Sequence, residues 1–162
     1  MTIRRPDLET VELDPLNSTI HELLQRIVPS AASDDPAVEA RLFPAPSGGA
    51  DHGLDSDWKS YVEPDLRQLF QSSLETIAED LAPLAPPRSK GPDTLRLPVS
   101  HLEAWIHGLN QARLAIVARH GLTERELENA VAVEDEGRAF AILQTHFYAV
   151  LQQAFLSELG EL

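Results

Sequence analysis

Polar and apolar residues alternate along this chain in two rhythms. In residues 9–13, "ETVEL", and again in 94–98, "TLRLP", the alternation has the two-residue period of a short strand. Neither run is long enough to be stable alone, so the pattern predicts that the two pair into one two-stranded ribbon. Elsewhere the apolar positions recur every three or four residues. Leu16, Ile20, Leu23, Leu24 and Ile27 form one such stripe, with Asp14 expected to cap the helix and Pro15 to open it. A short helix is predicted near 35–42, and Trp58, Tyr61 and Val62 mark one or two turns from Ser56. Leu66, Leu69, Phe70, Leu74, Ile77 and Leu81 share one face of a longer helix that opens at Pro64, with Glu63 near its cap, and stops at Pro83.

The second half carries stronger end signals. Ser100 and Glu103 have capping-box spacing, and the apolar positions Leu102, Trp105, Ile106, Leu109, Leu114 and Val117 run to Arg119–His120, where Gly121 supplies a stop. Thr123 and Glu126 form a second capping box before a short helix. Asp135 opens the last helix. Its apolar face holds Phe140, Leu143, Phe147, Val150, Leu151, Ala154 and Phe155, and Ile142, Ala149 and Leu156 widen it further. A helix this apolar belongs at the centre of a bundle or in an oligomer interface. Stretches rich in Pro, Gly, Ser and Asp at 29–36, 44–53, 83–93 and 132–137 separate these elements, and 83–93 reads as a mobile linker. The expected fold is all-α or mainly α: one domain over 1–162, five to six helices packed on the 136–159 helix, and one short two-stranded β-ribbon.

Composition narrows the function classes. The chain of 162 residues fits one domain. With aromatics at only 6%, Leu, Ala, Val and Ile must build most of the core, which suits packed helices. The formal net charge is −13, from 26 acidic against 13 basic residues. Such an excess repels phosphate backbones and anionic membranes, and it favours a protein partner with a basic surface. With no cysteine, disulfides, thiolate zinc sites and iron–sulfur clusters are excluded. The start has no apolar run behind its arginines and nowhere do 18 apolar residues follow one another, so a soluble, cytoplasmic protein without a membrane span is expected.

Several segments together resemble a known family. "RLFP" at 41–44, "DLRQLF" at 65–70, "TLRL" at 94–97 and above all "LEAWIHGLNQARLAIVARHGLT" at 102–123 are similar to the bacterial domain of unknown function DUF2017. The match includes Trp105, Asn110, Arg113 and Leu114 and the Asp65–Leu66–Arg67 triplet, and it extends over about residues 40–157. The resemblance implies no chemistry. In some bacteria similar genes lie beside that of the Clp protease adaptor, which implies protein quality control or regulation, and any family role that needs cysteines is barred here.

Four polar residues of the Trp105 helix have spacings that bring neighbours together: Glu103 with His107, His107 with Asn110, Asn110 with Arg113. Glu103, Trp105, His107, Asn110 and Arg113 are therefore the candidate ligand or interaction residues, with Arg113 able to grip a carboxylate or phosphate bidentately. The competing reading pairs Arg113 with Asp65 or Glu63 as a buried interhelical ion pair, and the close apolar flanks of Arg113 favour it. Six histidines without metal-ligand spacing leave no metal expected. "HGLTERELENAV" at 120–131 has the outline of a helix-turn-helix, but the residues after it are apolar and acidic where a recognition helix needs basic or amide side chains. There is no GxSxG, and "SGGADHG" at 47–53 lacks the ending of a phosphate loop. The expectation is a non-enzymatic regulatory or adaptor domain without a cofactor, which binds another protein or a second copy of itself. The alternatives are a small-ligand or anion-binding protein or enzyme using the Trp105–Arg113 helix, and a DNA-binding regulator.

Overall fold

A computed structural model describes residues 1–32, 34–84, 94–128 and 135–160, and among these the chain is mainly α-helical with one small antiparallel sheet. The sheet holds β1 (Thr2–Arg4), β2 (Thr10–Asp14) and β3 (Leu95–Pro98) in the order β1-β2-β3. The expected ribbon is present as β2 and β3, with Val11 opposite Leu97 and Leu13 opposite Leu95, all four buried. The third strand was not anticipated, because three residues are too few to display a period. Its place is set by pairing: Arg4, Glu12 and Arg96 lie in one row across the three strands. Glu12, only 4% exposed, accepts from Arg4 Nε at 2.9 Å and from Arg96 Nε at 2.7 Å. A buried carboxylate held between two guanidiniums in this way keeps its charge compensated.

Eight α-helices follow among the described residues: α1 (Ser18–Gln25), α2 (Ile27–Ser30), α3 (Pro36–Leu42), α4 (His52–Tyr61), α5 (Glu63–Leu81), α6 (Leu102–His120), α7 (Glu124–Glu128) and α8 (Glu136–Gly160). The sequence signals for five to six helices include the short α3 and α7 and miss the four-residue α2. Helix α1 starts later than Pro15 because Asn17, not Asp14, is the cap; its side chain accepts from Ile20 N at 2.9 Å. Ser100 and Glu103 form no cap: a 3-10 turn, Val99–His101, leads into α6, whose first residue has no side-chain cap bond. The later signals hold. Thr123 N donates to Glu126 Oε2 at 2.9 Å and Glu126 N to Thr123 Oγ1 at 3.3 Å, a reciprocal capping box. Asp135 caps α8 through Arg138 N at 2.7 Å. Gly121 adopts the left-handed conformation at φ 55°, and Leu122 N closes onto Val117 O at 3.0 Å, which ends α6. The expected linker at 83–93 lies outside the described residues except for Pro83 and Leu84, which sit in a 3-10 turn.

The centre of the bundle is α6, not the 136–159 helix. Helices α2, α3, α5 and α8 all pack on α6. Small residues allow this: Gly108, Ala112 and Ala115 are buried and let neighbouring backbones approach. At Gly108 an added Cβ would lie 2.3 Å from Ile77 Cδ1 of α5. Leu102, Trp105, Leu109 and Ile116 carry the main core toward the sheet, α1, α2 and α8. Ala115 joins Val38 and Leu42 in a smaller core under α3, with Phe43 and Phe70 at its edge.

Candidate functional site

The residues singled out on α6 do not converge. Trp105 is fully buried; its Nε1 donates to Asp80 Oδ2 of α5 at 2.8 Å, and its ring meets Phe155 edge-on at 5.7 Å. Asp80 also faces His101 Nδ1 at 3.0 Å, so one carboxylate fastens α5 to the entry of α6. Trp105 is thus a core residue with a satisfied N–H. Glu103, His107 and Asn110 are exposed. Arg113 is half-buried and makes no pair with Asp65, which is exposed at the start of α5, or with Glu63. Its Nη1 donates to Gln152 Oε1 of α8 at 2.7 Å, and Gln152 Nε2 donates on to Ile106 O at 3.3 Å. The correction has a simple cause: α8 covers the side of α6 that carries Ile106 and Arg113, so the nearest acceptor is a neutral amide.

The charge pairing expected of Arg113 falls instead to Arg67, whose Nε and Nη2 bond Glu63 Oε1 at 2.8 and 2.7 Å. Arg67 also bonds Glu39 of α3, and its guanidinium lies 3.7 Å over the Phe43 ring. Bonding to Glu39, together with Glu63, holds the Arg67 guanidinium above its ordinary basicity. The Glu63–Arg67 spacing of one helical turn was legible in the sequence; Glu39, far away in the chain, was not.

Two further arginines act on helix ends. Arg119 donates to Ser30 O at 3.0 Å and Ala32 O at 2.7 Å, and Arg138 to His120 O at 2.6 Å and Gly121 O at 3.0 Å, so each satisfies carbonyls that a helix terminus leaves open. Arg138 also holds Glu126, whose carboxyl is lowered to about 2 by that bond and by those from Thr123. The glycine-rich loop at 47–53 is likewise structural. Asp55 accepts from Ser47 N, Ser47 Oγ and Gly49 N at 2.8–3.0 Å, and these bonds hold its carboxyl below the usual range.

The outer side of α8 is the surface that packing leaves unexplained. Between Arg138 and Glu158 the sequence contains no Asp, Glu, Lys or Arg. The inner side buries Ala141, Ile142, Gln144, Thr145, Tyr148, Leu151 and Phe155. Tyr148 donates to Leu23 O at 2.8 Å, and burial pushes its phenol up to about 12. The apolar face read from periodicity is therefore turned: Leu143 and Val150 are 47% and 66% exposed, with Phe147 half-buried between them. Leu143, Phe147, Val150 and Ala154 follow one another at helical spacing, so they form one stripe. Exposed His146, Gln153 and Ser157 flank it. From Leu143 to Ala154 the stripe extends for roughly 17 Å along the helix. On a chain with net charge −13 this is an uncharged, partly apolar stripe left in water.

Among the described residues no group of three or more His, Cys, Asp or Glu is placed to hold a metal ion, and no helix is long and apolar enough to cross a membrane. No curated protein and no solved structure matches the chain. The family expected from the "DLR" and Trp105–Arg113 segments does match, and over a longer span than 40–157, because β2, α1 and α2 are included. Residues 5–159 match the domain of unknown function DUF2017, and the chain belongs to that family.

Proposed function

We propose that this domain is a non-enzymatic regulatory or adaptor module that binds another protein through the outer side of α8. The observation that carries this is the exposure of Leu143 and Val150, at 47% and 66%, on the stretch of α8 between Arg138 and Glu158, which has no charged side chain in a strongly acidic chain. Apolar groups left in water on a helix that already has a buried side contribute nothing to folding; a partner that covers them gains their transfer free energy. The net charge of −13 favours a partner whose contact is apolar at its centre and basic at its rim. The reading of α6 as a ligand or anion site has less support, because its polar residues are either exposed or engaged in packing.

The test is a single substitution, Val150→Asp, which places a charge in the stripe without touching the core. Affinity capture from cell extract with the native domain should yield a stoichiometric partner whose association rate falls as salt rises. The Val150→Asp protein, equally helical by circular dichroism, should lose that partner. Equal recovery with both proteins would overturn the assignment. Light scattering on the purified domain decides the remaining occupant: a dimer that Val150→Asp splits would give the stripe to a second copy of the chain.

A further inference from the structure

We infer that the cleft between α2 and α5 is a binding site for a small neutral molecule that carries an amide on an apolar body. The cleft contains a cavity of about 420 Å³, within the size range of small-ligand sites. Val28, Phe70 and Leu74 give it apolar walls, Phe43 and Arg67 stand at one end, and Gln111 of α6 lines it as well.

Gln111 makes the cavity more than a packing gap. It is 5% exposed, and its Nε2 donates to Ala31 O at 3.2 Å. A carbonyl can only accept, so that bond fixes which way the amide faces and leaves Oε1 buried without a hydrogen-bond partner. Buried acceptors are rarely left unmatched, because the desolvation cost is not recovered. A ligand N–H that meets Oε1 as the Gln111 amide turns toward the cavity is the complementary group. A smaller cavity of about 160 Å³ adjoins across Val28 and Ala78, which line both. There Gln25 Nε2, also buried, lacks an acceptor. Each cavity of the cleft is therefore lined by a residue with one unmatched amide atom, an acceptor on Gln111 and a donor on Gln25.

The charges argue against an anion. Arg67 is the cation at the cavity's end, but Glu39 and Glu63 already bond it, and Glu75 lines the same cavity. A carboxylate or phosphate entering there would meet more negative than positive charge. Phe43 and Phe70, 5.7 Å apart, instead offer a surface for a flat apolar body.

Benzamide is the minimal probe, with acetophenone as the same shape lacking N–H and benzoate as the anionic counterpart. Titration into the ¹⁵N-labelled domain should give saturable shifts around Gln111, Phe70 and Leu74 with a dissociation constant on the order of 1 mM. Acetophenone should bind at least ~10-fold more weakly, and benzoate should produce no saturable shift. Gln111→Leu should remove the preference for benzamide. Ala78→Trp, a substitution at an exposed rim position, should block benzamide and acetophenone while leaving the core intact. Equal affinity for benzamide and acetophenone, unaltered benzamide binding in Ala78→Trp, or no saturable shift up to ~20 mM would each overturn the inference.

Discussion

Helices α6 and α8 look alike in sequence and have opposite situations in the fold. Both are long, both are apolar on more than one side, and they pack against each other. In α6 the dispersed apolar residues are accounted for, since α2, α3, α5 and α8 surround it and Gly108, Ala112 and Ala115 let them close in. In α8 one side is buried and the other is not, although the exposed side carries Leu143, Phe147 and Val150. The comparison teaches that an apolar surround has two meanings. On a helix enclosed by neighbours it is core. On a helix at the edge of the bundle it is exposed surface, the one through which we propose that a partner binds.

Substitutions should separate the two helices, and the largest effect belongs to α6. Trp105→Ala removes the largest fully buried side chain and one of the hydrogen bonds to the Asp80 carboxylate, so it should cost about 4 kcal/mol in chemical denaturation. A loss under about 1 kcal/mol would end the description of α6 as the hub. Gly108→Val should come next, at about 2–3 kcal/mol, because its Cβ position already falls 2.3 Å from Ile77 Cδ1 inside the α5–α6 contact. Tolerance of valine there would mean that the two helices are not in close contact. Arg113→Ala should cost only about 1 kcal/mol, since its partner Gln152 is neutral and no carboxylate is left unpaired. A much larger loss would restore the ion pair that the sequence suggested. On α8, Val150→Asp should change stability by less than about 0.5 kcal/mol while abolishing partner binding. A thermal midpoint clearly lowered by that change would show that the stripe belongs to the fold.

The junction between the two helices has a pH signature. Glu126 has its folded carboxyl lowered to about 2, against an ordinary value of 4.5, mainly by the bond from Arg138. A depressed carboxylate contributes stability that is complete above the unfolded value and is lost as pH falls through the folded one. The acid limb between pH 4.5 and 2 should therefore be shallower in Glu126→Gln than in the native protein, as followed by circular dichroism. Superimposable acid limbs would remove Glu126 from that role.

The local sequence was a good guide to most strands and helix ends, the Ser100–Glu103 spacing excepted. The strand alternation at 9–13 and 94–98 identified two strands that do pair, and Thr123–Glu126, Asp135 and Gly121 marked helix ends that form as read. Reading failed where several residues competed for one task. Asp14 and Asn17 both suit a cap, and only the chain's exit from β2 selects Asn17. The Trp105–Arg113 set was chosen because polar residues on one helical face suggest a site, yet packing sends Trp105 inward and Glu103, His107 and Asn110 outward. Neither cavity in the α2–α5 cleft could be read from sequence, because Gln25, Arg67 and Gln111 are brought near one another only by three different helices.

By itself the sequence determined that this chain is an acidic, cysteine-free, mainly helical member of its family, with no charged residue between Arg138 and Glu158 of its final helix. These properties follow from residue type and from spacing along one element, which periodicity and capping express directly. Only tertiary structure decided that α6 sits in the middle, that Arg113 meets Gln152 while Arg67 takes the carboxylates, and which side of α8 stays in water. The physical reason is that a helix apolar on several sides has no preferred orientation of its own. Its neighbours choose the buried side, and those contacts join residues far apart in the chain.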